Sequence, residues 1–133
     1  MHSTVRRDVL AGPPARGLGQ TSWRVLEGQP ESDAWTVLLG PGLTFLAVPL
    51  GSGRTYCYAD APSTEEGRGP DRLRELFAGF GGPVPELLAG LGPATAVHMA
   101  PIEEVAAPRW TTAGWALVGG CGERRACAAA MGV

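Results

Sequence analysis

The sequence offers few side chains that do chemistry at neutral pH, and their spacing argues against most of it. Cys57, Cys121 and Cys127 are its cysteines, and no CxxC or CxxH pair brings two of them into a close metal clamp. No metal site is expected. Cys57 has no base beside it in the sequence to make it a nucleophile, so it reads as a small buried strand residue. His98 has no carboxylate or serine at catalytic spacing, and Glu103 and Glu104 are neighbours that point to opposite faces of an extended chain, so they cannot act as a paired acid and base. A solvated bend is expected there, and no residue is assigned a catalytic role. Tyr56 and Tyr58, two apart, share one face of a strand. They either line a pocket for an aromatic molecule or pack in an ordinary sheet with their hydroxyls at its rim. Trp35, Phe45 and Val48 are pocket candidates on the same terms, with core packing as the alternative.

The elements that must position these residues are legible in the spacing of apolar residues. "AGPPARGLG", from Ala11 to Gly19, carries two consecutive prolines and reads as a loop, and "TSWRVLEG" as a strand. "AWTVLLG" alternates Trp35, Val37 and Leu39 against Thr36 and Leu38. "GPG" at Gly40 to Gly42 and "GSGR" at Gly51 to Arg54 turn the chain into "LTFLAVPLG" and then "TYCYADAP", so an antiparallel meander is expected, with Pro49 at an edge, a bulge or a strand end. The period then changes. Leu73, Leu76, Phe77 and Phe80 fall on one helical face, with Asp71 as N-cap and Gly81 as stop. Val84, Leu87, Leu88 and Leu91 repeat the spacing in a second short helix started near Pro83 and Pro85. "ATAVHMAPIEEV" reads as a strand containing Val97 and Met99, and "GWALVGG" as a short strand buried on both faces. The segment "CGERRACAAAMGV" has no clean period and reads as a weak helix on propensity. The fold class is α+β: a mainly antiparallel sheet with two short amphipathic helices on one face.

Bulk composition narrows the function classes. The 133 residues are 44% hydrophobic and 18% charged with a net charge of -2, the balance of a water-soluble globular chain of about one domain. No apolar run reaches the length of a membrane span. The arginines are scattered rather than gathered in a stripe, so nucleic acid is not expected as a partner. An odd cysteine count without a secretory leader points to reduced thiols and a cytoplasmic location.

The succession "FLAVPLGSGRTYCYAD", "RLRELFAGFGGPVPELL", "PIEEVAAPRW" and "GWALVGG" resembles the C-terminal half of the class A FAD-dependent monooxygenases, the para-hydroxybenzoate hydroxylase type of aromatic hydroxylase, over nearly the whole chain up to about Gly120. "MHSTVRR" is similar to the second half of that family's D-G-x-x-S-x-x-R motif, with Ser3 at the serine and Arg6 at the arginine, so the chain would begin inside the motif. Against the motif reading stands a polar, frayed terminus, which is favoured for an isolated chain. Gly119 matches the glycine of the family's Gly-Asp motif, but Gly120 stands where its aspartate should be and Glu123 where its histidine should be. A glycine cannot accept a hydrogen bond from a ribityl hydroxyl. The GxGxxG that opens a dinucleotide-binding fold is absent as well, since neither "GLGQ" nor "GFGG" follows a strand and opens a helix.

The resemblance therefore implies a division into residues 1–20, a motif remnant and loop; 21–112, a substrate-domain-like sheet with two helices; 113–120, a strand leading to a degenerate Gly-Asp motif; and 121–133, an atypical tail. It implies a fragment of a flavoprotein oxidoreductase that hydroxylates an aromatic or similar small molecule with FAD and NAD(P)H. Ser3, Arg6 and Gly119 would be the cofactor contacts, and Trp35, Phe45, Val48, Tyr56 and Tyr58 the substrate wall. Because the flavin-anchoring motifs are missing or altered, the chain alone is expected to bind FAD weakly or not at all and to be inactive. Two alternatives are a non-catalytic α+β binding module that self-associates through an exposed sheet face, and the product of a truncated or frameshifted gene.

Overall fold

The computed structural model describes residues 3–28, 34–63 and 69–117. The chain divides into two compact units, Gln20–Ala100 and a second made of residues 1–19 with 101–133, the division falling inside the first and fifth strands. Strands β1 (Arg16–Gly28), β2 (Thr36–Gly40), β3 (Leu43–Gly51), β4 (Arg54–Pro62) and β5 (His98–Glu104) form one sheet in the order β2-β3-β4-β1-β5. The expected meander is β2-β3-β4, and β1 joins it antiparallel along the far side of β4. The prolines of "AGPPARGLG" keep only its first half out of the ladder, because β1 already begins at Arg16.

Turn chemistry sets the register. Gly51 pairs with Arg54, leaving Ser52 and Gly53 as a two-residue loop in which both have positive φ, 54° and 67°. That is the type I′ geometry whose twist matches paired strands. The register shifts between Pro49 and Gly51, so Pro49 is accommodated at a bulge where its missing N–H breaks no ladder.

Because side chains alternate, the register sorts residues between two faces. Trp23, Val25, Phe45, Ala47, Cys57 and Ala59 lie on one face, where they meet helices α1 (Pro70–Phe77) and α2 (Val84–Gly90) in a single buried cluster. Phe45 touches Phe77 edge to face at 5.4 Å between ring centroids, and Phe77 touches Phe80 at 5.0 Å. Gly40 is where Phe80 comes down on the sheet: a Cβ there would sit 2.9 Å from the Phe80 ring. The helical spacing that places Leu73 and Phe77 inward is as expected, but the ends differ. Gly69, not Asp71, is the N-cap, and α1 stops at Phe77 rather than running to Gly81. Asp71 instead accepts from Arg74, whose Nε donates to the Leu88 carbonyl at 3.2 Å and whose Nη2 donates to that of Leu91. One arginine on α1 thus bonds two carbonyls at the end of α2, of which that of Leu88 also accepts from the Leu91 N–H at 3.3 Å.

The other unit has its own small cluster of Leu10, Val105, Ala107 and Leu117, with Val5 and Ala15 packed against it. Residues Val5–Val9 form a π-helical turn. Glu103 and Glu104 lie within β5 rather than in a solvated bend, and Glu104 is ion-paired with Arg16. The expected doubly buried strand at "GWALVGG" is instead a two-residue strand, β7 (Trp115–Ala116), paired with β6 (Thr111–Thr112), and Trp115 is exposed. Among the described residues β7 pairs only with β6, and its Trp115 side chain stays exposed while Leu117 is buried. Residues 118–120, and with them Gly119 and Gly120, lie outside the described residues, as does the tail at 121–133. No described helix is long and apolar enough to cross a membrane.

Phe77 links the sheet and Phe80 through two ring contacts at almost zero exposure. Phe77→Ala should lower the unfolding free energy by about 3–5 kcal/mol. Urea denaturation checks this, and a loss below about 1 kcal/mol would contradict this packing.

Candidate functional site

The face of the sheet away from the helices is arranged in three rows by strand register. Leu39, Thr44, Asp60 and Ser22 form one row; Val37, Leu46, Tyr58 and Arg24 the next; Val48, Tyr56 and Leu26 the third. The β2 end is apolar and open, with Val37 57% and Leu39 76% exposed, and Trp35, two residues before Val37, is 66% exposed. Toward β4 and β1 the rows become polar. This face therefore brings together three of the expected pocket residues, Val48, Tyr56 and Tyr58.

Phe45 does not join them. Its neighbours Leu46 and Thr44 face the open side, so strand alternation turns Phe45 to the helices, where it is 1% exposed. It is a core residue and cannot line a pocket with Tyr56.

Residues on β1 and the segment before β5 complete a concavity of about 420 Å³ on this face, lined by Arg24, Leu26, Tyr56, Thr95, Ala96 and His98. Arg24 Nε is buried and has no hydrogen-bond partner among the described residues. Thr95 Oγ1 accepts from the Gly92 N–H at 2.9 Å, which fixes the turn that carries the concavity's rim. Arg24 and Leu26 were not singled out from the sequence. Their parity against Trp23 and Val25 was available, but only the pairing of Arg24 with Tyr58 and of Leu26 with Tyr56 shows that they share the tyrosines' face.

Asp60 is the buried carboxyl of the polar rows. Burial raises its pKa above the ordinary value, while hydrogen bonds from the Tyr58 and Thr44 hydroxyls pull the other way. Ser22, opposite Asp60, donates to the Ala100 carbonyl at 3.2 Å. Among the described residues there is no group of three or more side chains suited to holding a metal ion.

No family model matches the sequence. Over 99 residues it is 39% identical to an aurachin C monooxygenase/isomerase of Stigmatella aurantiaca, covering 66% of this chain and 25% of that protein. Over 105 residues it is 34% identical to an FAD-dependent urate hydroxylase of Klebsiella pneumoniae, covering 71% of this chain and 27% of the relative. The structure superposes on Klebsiella HpxO complexed with FAD and uric acid with a TM-score of 0.75 and 28% identity, over 96% of this chain and 37% of HpxO. The chain is a relative of the FAD-dependent monooxygenases. It spans about a quarter of the length of the curated relatives it matches. The fold extends to the tetracycline destructase Tet(55), at a TM-score of 0.60 and 22% identity.

For an FAD-dependent monooxygenase relative, the residues assigned to the cofactor by resemblance can be tested by their contacts. Ser3 and Arg6 are not a frayed terminus. The Arg6 N–H donates to Ser3 Oγ at 3.2 Å, its Nε donates to the Pro13 carbonyl at 3.1 Å, and its side chain is buried at 4% exposure. The Nε bond folds the Arg6 guanidinium onto the turn at Pro13. Gly119 lies outside the described residues.

Asp60 gives this face a pH signature. Its folded pKa is raised, so its contribution to stability is fully present below the unfolded value near 3.8 and is lost as pH rises through the folded value. Asp60→Asn, which cannot ionise, should gain on the wild type as pH rises from about 4 toward neutrality and then hold a constant lead. Urea unfolding across that range reads the difference; a difference that stays flat with pH would contradict the burial assigned to Asp60.

Proposed function

We propose that this chain forms the substrate-facing sheet of an FAD-dependent, NAD(P)H-using monooxygenase that hydroxylates a small, aromatic-type molecule. The observation that carries the reading is the two-sided sheet. One face is sealed by helices, and the other is exposed at β2, encloses Tyr58, Asp60 and Ser22 at β4 and β1, and carries a concavity lined by Arg24, Leu26 and Tyr56. The relatives' names, aurachin C monooxygenase/isomerase and FAD-dependent urate hydroxylase, support the reaction class, and HpxO holds FAD and uric acid.

In such enzymes the flavin, once reduced, supplies the oxygen chemistry, and the protein supplies binding and orientation. Here Leu46, Val48 and Tyr56 offer an apolar wall against which a ring can stack, and Arg24 offers a cationic donor at one side of it. Most of the flavin would be gripped by parts of such an enzyme beyond the stretch matched here, which covers about a quarter of the curated relatives' length. A second reading, a non-catalytic module that pairs with another copy, draws on the exposure of Trp35, Val37 and Leu39.

NMR shift mapping with uric acid, run at two protein concentrations, separates these readings. Shifts gathered on Val48, Tyr56 and Leu26 and independent of protein concentration are expected. Shifts confined to the helix-covered face, or shifts on β2 that follow protein concentration without added ligand, would refute the proposal. FAD added to the same sample should show no saturable quenching of its fluorescence, and quenching that saturates near one equivalent would overturn the expectation that the chain alone binds FAD weakly or not at all.

A further inference from the structure

The concavity beside the third row offers positive charge and hydrogen-bond donors without a negative charge to answer them. Arg24 and His98 are on its wall, and no carboxylate stands among its described lining residues. A guanidinium is a cation that can only donate. The Arg24 side chain as a whole is half-buried, but its Nε is buried and has no hydrogen-bond partner among the described residues. That donor is therefore shut off from bulk water while the residue that carries it lines an open cleft. A buried donor left unpaired is costly, and an ionised acceptor compensates it better than a neutral one.

The rest of the wall suits an aromatic body. Leu26 lies opposite Tyr56 and is 56% exposed, Tyr56 is half-buried, and Ala96 is exposed beside them. These give a ring an aliphatic surface and a second ring to pack on. A cleft of about 420 Å³ fits a molecule of one or two rings.

We propose that this concavity selects small aromatic acids in their ionised form, with the carboxylate accepting from the Arg24 Nε and an adjacent Nη and the ring lying against Leu26 and Tyr56. His98, exposed at the rim, is a further donor to the same anion. The inference rests on the reading of this face as a ligand site and narrows it. A neutral ring of the same shape leaves the guanidinium without a counter-charge and is discriminated against.

Benzoate and benzamide share a ring and a carbonyl and differ in charge; acetate carries the charge without the ring. With the full wild-type chain, followed by NMR, benzoate should bind about 10-fold more tightly than either, with shifts gathered on Leu26, Tyr56 and Ala96. This comparison needs no variant to fold. Arg24→Gln should erase the preference over benzamide, and Arg24→Lys, which keeps the charge and loses the planar fork, should retain only part of it. Equal binding of benzoate and benzamide, acetate binding as tightly as benzoate, or a preference that survives Arg24→Gln would overturn the inference alone. If none of these probes binds, the inference falls, and the uric acid shifts decide whether the ligand-site reading falls with it.

Discussion

The contact of Phe45 with Phe77, extended to Phe80, decides what the rest of the molecule can do. A four-stranded stretch of sheet has two faces, and burying one of them under α1 and α2 supplies the main hydrophobic gain available to residues 20–100. Once Phe45 is committed to that side, strand alternation leaves Thr44, Leu46 and Val48 no choice but the other. The second face is thus the necessary complement of the core. Gly40 marks how tightly the two layers are closed, since even a methyl group at that position would strike the Phe80 ring.

The open face is graded rather than uniform. At β2 it is aliphatic and exposed; at β4 and β1 it carries a carboxyl, two tyrosines and an arginine. Such a gradient suits a small molecule with an apolar body and a polar edge better than it suits a flat protein partner, whose interface core would be depleted of charge. It also explains why a buried carboxyl is tolerated at Asp60. Two hydroxyls already solvate it, which offsets part of the cost of withdrawing it from water.

Much of this was legible in the residues themselves. The glycine-bearing turns at Gly40–Gly42 and Gly51–Arg54, the alternation of "AWTVLLG" and the helical spacing of Leu73, Leu76 and Phe77 all state local preferences that the tertiary structure kept. What the sequence withheld was register. Phe45 and Val48 are equally apolar and three residues apart, so alternation alone puts them on opposite faces, and only the packing of Phe45 against Phe77 shows which face the helices seal. The same holds for Arg24, whose place beside Tyr58 depends on β1 skipping over the meander to pair with β4. Arg6 was hidden differently: its burial comes from a hydrogen bond to Pro13, seven residues on, inside a segment whose prolines suggested only a loop.

The division of the sheet into a sealed face and an open one is tested most directly by NMR methyl broadening from a soluble paramagnetic agent. Methyls of Leu26, Val37 and Leu39 should broaden strongly, while those of Val25, Ala47, Ala59 and Ala61 stay sharp. Equal protection of both sets, or broadening of Ala47 and Ala59, would contradict it.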